Sequence, residues 1–588
     1  MKVESKIGFR RLLSMSWQDN YQQWQQATLV PDLAEELTQM KGHEDDLEDA
    51  FTAPMEFGTA GMRGVMGPGI NRMNIYTVRQ ATEGLARFMD KLPAEQKQQG
   101  VAISFDSRYH SQEFAHESAR VLGAHKIPSF VFDSLRPTPE LSFTIRHLHT
   151  YAGIMITASH NPKQYNGYKI YGPDGGQMPP EEADTITKYI REVTDIFNIP
   201  VVQEQKLREA KIMSLIGEDV DEAYLAALKS VTINPDLIAS DGKDMKLIYS
   251  PLHGTGKVLA QRVLQGAGFQ AVRIVPKQAI LDPEFPTTPF PNPEFPQAFD
   301  LAIQLGKEES ADVLIATDPD ADRLGTAVRL PNGEYQLLTG NQIASIMLHY
   351  ILTARKNAGT LPKNGAVVKS FVSTELATKI AESFGMQMIN VETGFKFIAE
   401  QIEHFEETGE HEFLFGFEES YGYLIKPFVR DKDAMQATLL LAEVAAYYKH
   451  QGKTLYDGLQ ELYKEYGYFA EKTVSQDFPG IKGAEEMSAL MAKFRKEEPS
   501  EFAGVKVART EDYKTGQAKL ADGSTEKLTL PKSDVLKFIL SDGTWIAIRP
   551  SGTEPKIKYY VGTQSDSQDA AHKRLDDFEQ ALTAFTKA

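Results

Sequence analysis

Short apolar runs alternating with amphipathic stretches constrain this chain more than any other feature. From Met55 to about Pro200, runs such as Val101-Ala102-Ile103-Ser104-Phe105 and Gly153-Ile154-Met155-Ile156 are separated by helix-patterned segments such as Glu113 to Leu122. Runs of that length read as buried strands, and their alternation with helices predicts βαβ units. The pattern recurs twice. Lys246-Leu247-Ile248-Tyr249-Ser250 opens a second unit that runs to about Pro331 and includes Ala311 to Ala316. A third, from about Asn332 to Glu465, holds Ala366 to Phe371 and a helical Glu375 to Phe384. The last part differs: Leu536 to Leu540 and Trp545 to Ile548 flank Ser541-Asp542-Gly543-Thr544, a hairpin turned at Asp-Gly. A helical tail follows from Asp566 to Ala588. Residues 1 to about 50 read as a helical extension of the first domain, and 201 to 240 as a charged helical connector. The expected division is 1–205, 206–331 and 332–465 for three α/β domains, and 466–588 for an α+β domain. Pro283 to Pro296 contains six prolines and reads as an irregular loop with a structural role.

A chain of 588 residues exceeds one core and fits roughly four domains. It has no cysteine, which removes disulfides, thiolate metal sites and cysteine nucleophiles, and suits a cytoplasmic protein. Its formal charge of −18 repels polyanions, so nucleic acid is an unsuitable partner. No apolar stretch is long enough to predict a membrane span, and Met1 to Arg11 lacks the apolar core of a secretory signal.

Five segments carry the chemistry. Thr157-Ala158-Ser159-His160-Asn161-Pro162 follows the Gly153 to Ile156 run, which delivers Ser159 to a loop at a strand's carboxyl end. Alone it reads as a polar turn with a candidate nucleophile. Thr317-Asp318-Pro319-Asp320-Ala321-Asp322-Arg323 follows another buried run. Three alternating carboxylates supply hard oxygen ligands for Mg²⁺ and repel one another without a cation. An EF-hand is excluded, since its sixth and twelfth positions here are Arg323 and Arg329. Arg549-Pro550-Ser551-Gly552-Thr553 offers a guanidinium fork and hydroxyls to phosphate oxygens. Gly416-Phe417-Glu418-Glu419-Ser420-Tyr421-Gly422 can present Glu418 and Ser420 to sugar hydroxyls. Phe57 to Gly64 reads as a glycine-rich loop carrying Arg63. Gly254-Thr255-Gly256-Lys257 lacks Walker spacing and reads as a strand-to-helix turn beside a structural His253; Asp106-Ser107-Arg108 reads as an ion-pair corner without chemistry.

Together these motifs resemble the α-D-phosphohexomutase superfamily, from about Gly58 to Tyr560 and in family order. Gly-Phe-Glu-Glu-Ser-Tyr-Gly-Tyr and Thr393-Gly394-Phe395-Lys396-Phe397 place the resemblance in the long phosphoglucomutase and phosphopentomutase branch. The resemblance implies three related α/β domains with mixed sheets and a C-terminal α+β domain around a central cleft. It implies that Ser159 is carried as phosphoserine and holds Mg²⁺ with Asp318, Asp320 and Asp322. Arg63 and Lys169 would lie near the transferring phosphate, Lys169 as a general acid/base, with His160 as a neighbouring support. Arg323, Thr393, Gly394, Glu418 and Ser420 would face the sugar; Arg549, Ser551, Gly552 and Thr553 would hold the non-reacting phosphate. The mannose-type members carry a His where this chain has Gly422, so that residue's role does not transfer. The implied reaction interconverts glucose 1-phosphate and glucose 6-phosphate, with glucose 1,6-bisphosphate as activator, in a cytoplasmic monomer or weak homodimer that takes small sugar phosphates. A phosphopentomutase or phosphomannomutase would use the same residues. A sugar phosphatase would make Asp318 the nucleophile, and a non-catalytic binder should lack one of the charged motifs.

Overall fold

The computed structural model describes residues 16–58, 61–478, 483–551 and 556–587. The chain divides into two compact units, Met1–Leu338 with Gly422–His450, and Thr339–Tyr421 with Gln451–Ala588.

The first unit opens on three short helices, α1 (Trp17–Gln26), α2 (Pro31–Gln39) and α3 (Glu44–Phe51). Ser16 caps α1 in a reciprocal capping box with Asp19. Trp24 fixes the extension to the first domain, meeting the rings of Phe51, Tyr76 and Phe197 edge-on. A six-stranded sheet follows, ordered β1 (Gly61–Val65), β5 (Tyr165–Tyr171), β4 (Ala152–Ile156), β2 (Val101–Phe105), β3 (Ser129–Phe132) and β6 (Met213–Ile216). Its last four strands are parallel, whereas β5 runs antiparallel to both β4 and β1. Every residue of β2 and β4 is buried, as strands covered on both faces require. Two expectations change here. The glycine-rich segment around Arg63 is in part a strand, paired to β5 from Gly61 to Val65. The 201–240 segment is not only a helical connector, because Met213–Ile216 pairs in parallel with β3.

The second sheet, also mixed, is ordered β11 (Tyr335–Leu337), β10 (Leu324–Arg329), β9 (Val313–Thr317), β7 (Leu247–Ser250) and β8 (Val272–Ile274). Strands β7, β8 and β9 are parallel, and β10 turns back antiparallel to β9. The β4–β5 and β9–β10 connections are therefore equivalent, and they carry Ser159 and the Asp triplet.

In the second unit β12 (Gly365–Ser370) pairs in parallel with β13 (Gln387–Val391) and β14 (Glu412–Glu418). The C-terminal region forms a separate antiparallel sheet in which Leu536–Leu540 and Trp545–Pro550 make the expected hairpin. Gly543, at φ 85°, supplies the left-handed turn residue. The helix Gln568–Lys587 packs on this sheet through Ala571, Leu575, Phe578 and Leu582.

Candidate active site

The loop after β4 is held through its main chain by neighbouring side chains. Thr157 Oγ1 donates to Asp106 Oδ2 (2.7 Å) and accepts the Ser159 N–H (2.8 Å). Ser159 has φ 50°, a left-handed conformation costly for a residue with a Cβ. The fully buried Arg108 side chain stabilises it. Its Nη1 donates to the carbonyls of Pro162 (2.9 Å) and Tyr165 (3.1 Å), and its Nη2 to those of Ser159 and Asn161. Its Nε lies 3.3 Å from Asp106 Oδ2. The Asp106-Ser107-Arg108 corner is thus the clamp of the Ser159 loop.

The equivalent loop after β9 is held by its carboxylates. Asp318 Oδ1 accepts the N–H groups of Asp322 (3.1 Å) and Arg323 (3.0 Å), and its Oδ2 accepts the Ser159 hydroxyl at 2.5 Å, with His160 Nδ1 3.2 Å from the same hydroxyl. Asp320 Oδ2 accepts from Lys169 Nζ (3.1 Å) and Thr138 Oγ1 (2.9 Å). The Thr138 N–H reaches Asp320 O (2.9 Å), so the helix Thr138–Leu148 begins on this loop. Beneath it, Thr255 donates its N–H (2.8 Å) and hydroxyl (3.0 Å) to Pro319 O. Burial, then the charges of Asp320 and Asp322, push the Asp318 carboxyl well above the usual range. Burial opposes charge on Asp320 too, but Lys169 and its hydrogen bonds hold it below that range. Lys169 is kept protonated, because Asp320 and Asp322 outweigh its burial.

One oxygen from each of Asp318, Asp320 and Asp322 lies within 4.8 Å of the others, and all three residues are buried. Asp320 Oδ1 and Asp322 Oδ1 are buried without a hydrogen-bond partner. Hard, anionic, incompletely satisfied oxygens at this spacing can hold a divalent cation.

Lys432 was not read as a site residue from the sequence. Its Nζ lies 3.2 Å from Asp322 Oδ2 and 2.9 Å from Asp431 Oδ1, and Asp431 in turn accepts the Tyr171 hydroxyl (2.9 Å). Gly422 makes this reach workable: a Cβ there would stand 2.2 Å from Lys432 Cδ. The Lys432 stem thus fills the space a side chain at 422 would need. The available signal was Asp431-Lys432-Asp433 immediately before the buried helix Ala434–His450. Arg63 is exposed on β1, opposite Gly167 of β5, while Arg323 is half-buried at the end of its loop.

In the second unit, Gly394 N–H donates to Glu418 Oε1 (2.8 Å), bringing the Thr393-Gly394 loop to the end of β14. Ser420 and Thr393 are half-buried beside them in sequence, and Tyr421 is left-handed at φ 68°. Glu392 accepts the Ser533 hydroxyl (2.9 Å). Arg549 and Ser551 border a cavity of about 430 Å³ together with Ser533 and Asp534. Gly552 and Thr553 lie outside the described residues.

A buried serine hydrogen-bonded to a carboxylate cluster able to hold a cation, with lysines and arginines around it, has the parts of a phosphoryl-transfer site. Family models described as phosphoglucomutase/phosphomannomutase α/β/α domains I, II and III and the C-terminal domain match residues 54–196, 222–331, 339–466 and 491–580. The chain belongs to the phosphoglucomutase/phosphomannomutase family. It is 38% identical to the phosphoglucomutase of Staphylococcus haemolyticus (strain JCSC1435) over 88% of this chain and 92% of that one. It is 37% identical to the phosphoglucomutase of Staphylococcus aureus (strain bovine RF122 / ET3-1), over 90% and 93%. The solved phosphoglucomutase pp63/parafusin of Paramecium shares the fold at a TM-score of 0.64 and 18% identity, covering 91% of this chain and 95% of that one.

Proposed function

We propose that this chain is a cytoplasmic, Mg²⁺-dependent phosphosugar mutase that interconverts α-D-glucose 1-phosphate and glucose 6-phosphate through phosphorylated Ser159. The observation that carries the reading is the Ser159 hydroxyl donating at 2.5 Å to a member of the buried Asp triplet. The Oγ–P bond of phosphoserine breaks as a P–O bond to a sugar hydroxyl forms, and that hydroxyl's proton ends on Ser159 Oγ, where Asp318 accepts it as a hydrogen bond. Lys169, held as an ammonium, is the general acid/base of that transfer: it gives its proton to the departing Ser159 oxygen and is restored by the proton the sugar hydroxyl loses. Mg²⁺ on Asp318, Asp320 and Asp322 supplies charge neutralisation for the moving phosphoryl group. Glucose 1,6-bisphosphate is both the intermediate and the activator that phosphorylates Ser159. Arg63 and His160 assist at the transferring phosphate. Arg323, Lys432, Thr393, Gly394, Glu418 and Ser420 take the sugar, and Arg549, Ser551, Gly552 and Thr553 the non-reacting phosphate, on four domains divided near 205, 331 and 465.

The test is a panel of hexose and pentose 1-phosphates, each primed with its bisphosphate, together with intact-mass and peptide mapping of the purified enzyme. Highest kcat/KM on glucose 1-phosphate and one phosphate on Ser159 are expected. Preference for a mannose or pentose phosphate would reassign the substrate. Phosphate release with Ser159 unmodified would reassign the reaction as hydrolysis.

A further inference from the structure

The proline-rich stretch between β8 and β9 does more than connect them. Glu294 Oε1 accepts from Arg323 Nη1 at 2.7 Å, the guanidinium of the residue that closes the Asp-triplet loop. Glu294 is held in place. Asn292, itself buried, accepts the Glu294 N–H on its side chain (3.1 Å) and the Phe295 N–H on its carbonyl (3.1 Å). Pro293 lies directly on Gly325 of β10, where a Cβ would come within 2.6 Å of Pro293 O. Pro296 then starts a 3₁₀ turn, Pro296–Phe299, and Gln278 Nε2 donates to Ala298 O (3.3 Å). The other end of the stretch is fastened to the Ser159 side of the site: Glu284 accepts from Lys163 and from the Tyr109 hydroxyl (2.8 Å), and the Phe285 ring lies 5.0 Å from the Arg108 guanidinium.

We propose that Glu294 is a positioning residue: pairing with one terminal nitrogen of Arg323, it sets the plane of the guanidinium so that the fork faces an incoming sugar phosphate. Arg323 is 18% and Glu294 32% exposed, an environment in which a pair adds little stability and its main effect is geometric. Arg323 Nε also lies 3.9 Å from Asp322 Oδ1, on the other side of the guanidinium from Nη1. A guanidinium recognises phosphate through its planar fork, so losing the Glu294 bond makes Arg323 spend part of its binding contribution on being ordered. The inference rests on reading Arg323 as a substrate contact.

The experiment is a double-mutant cycle on the full-length enzyme, with KM and kcat for glucose 1-phosphate and thermal unfolding of each variant. Glu294→Ala should raise KM about tenfold and change kcat less than about threefold, with the unfolding temperature retained. Glu294→Gln, whose amide oxygen can still accept from Nη1, should recover most of the lost KM. In an Arg323→Ala background, Glu294→Ala should add less than about twofold, because the carboxylate acts through the arginine. Wild-type KM in Glu294→Ala overturns the proposal. So does a lowered KM, which would make Glu294 a competing anion, or single effects that multiply in the double variant. An Arg323→Ala enzyme with unchanged KM overturns the reading of Arg323 itself, and this inference with it.

Discussion

The loop bearing Ser159 and the loop bearing Asp318, Asp320 and Asp322 leave equivalent parallel strands and return as equivalent antiparallel neighbours, yet opposite means hold them. Each contains one left-handed residue with a Cβ, Ser159 and Ala321, both at φ 50°. In the Ser159 loop the strain is opposed from outside, by Arg108 gripping four main-chain carbonyls and Asp106 gripping Thr157. None of those bonds involves the Ser159 hydroxyl, so the loop keeps its shape when that oxygen changes its substituent. In the Asp loop the functional carboxylates are themselves the fasteners. Asp318 ties down two N–H groups, and Asp320 and Asp322 draw in Thr138, Lys169 and Lys432. Neutralising a carboxylate there alters chemistry and geometry together. On the proposed reading the difference has a reason: a phosphate carrier needs a scaffold indifferent to its load, whereas a cation site can be shaped by the charges it satisfies.

The largest effect should come from Ser159→Ala, which removes the acceptor atom and none of the clamp. Mutase turnover should fall by at least about a thousandfold, with the unfolding midpoint unchanged. Normal turnover would remove the nucleophile from Ser159, and a large stability loss would contradict the independence of clamp and hydroxyl. Arg108→Ala should do the reverse. It leaves Asp106 a buried carboxyl without its guanidinium and removes a donor from each of four carbonyls, at a cost of about 3–5 kcal/mol in the first unit. Trp17 and Trp24 lie in that unit and report its denaturant unfolding. Arg108→Lys should be nearly as damaging, because one ammonium cannot reproduce a fork that bonds through two nitrogens to four acceptors. Wild-type stability in either variant would show that the clamp is dispensable.

The same contrast explains what could be read from the chain itself. Ser159 and the Asp triplet were legible because both follow short buried runs, and local sequence records strand ends well. Arg108 was legible only as a corner, because its acceptors lie 51 to 57 positions further along. Lys432 was not singled out, because Asp322 and the space left by Gly422 are brought to it only by the fold. The edge strand Gly61–Val65 was hidden by its two glycines, and Met213–Ile216 by its polar neighbours. Each becomes a strand because β5 or β3 offers a partner, a tertiary effect that residue preference does not encode. Glu294 was invisible for a similar reason: six prolines announce irregular backbone and say nothing about which side chain it presents.

Thr138 probes the Asp loop more gently. Thr138→Val keeps the shape of the side chain and the backbone bond to Asp320 O, but removes the hydroxyl that orients Asp320 Oδ2. Groups that orient metal ligands typically change affinity by about 10–100-fold. The expected result is a Mg²⁺ dissociation constant raised about tenfold, seen in calorimetric titration as well as in the metal dependence of turnover. Thr138→Ser should bind near the wild-type value. Equal affinity in the valine variant would show that Asp320 is oriented without the Thr138 hydroxyl.

The last contrast distinguishes the loops by pH. Asp433 stands behind Lys432 and caps the helix Ala434–His450, whose first N–H reaches Ala321 O (3.3 Å). Its carboxylate accepts from the N–H groups of Met435 (2.9 Å) and Gln436 (3.0 Å) and from the Tyr224 hydroxyl (2.8 Å). Burial nonetheless pushes it up from 3.8 to about 6. Because the folded state holds this proton more tightly than the unfolded chain, its contribution to stability is complete below pH 3.8. It is lost as pH rises through about 6, by at most about 3 kcal/mol. Asp433→Asn supplies an amide oxygen for both N–H groups and an NH₂ toward the Tyr224 oxygen, and it does not ionise. The variant should therefore match or exceed wild-type stability at pH 8, and the difference between the two stability curves should change between pH 4 and 6 and flatten above. A difference constant across that interval would mean that Asp433 is ionised throughout, and that the support behind the Asp loop is as insensitive to protons as the clamp behind Ser159.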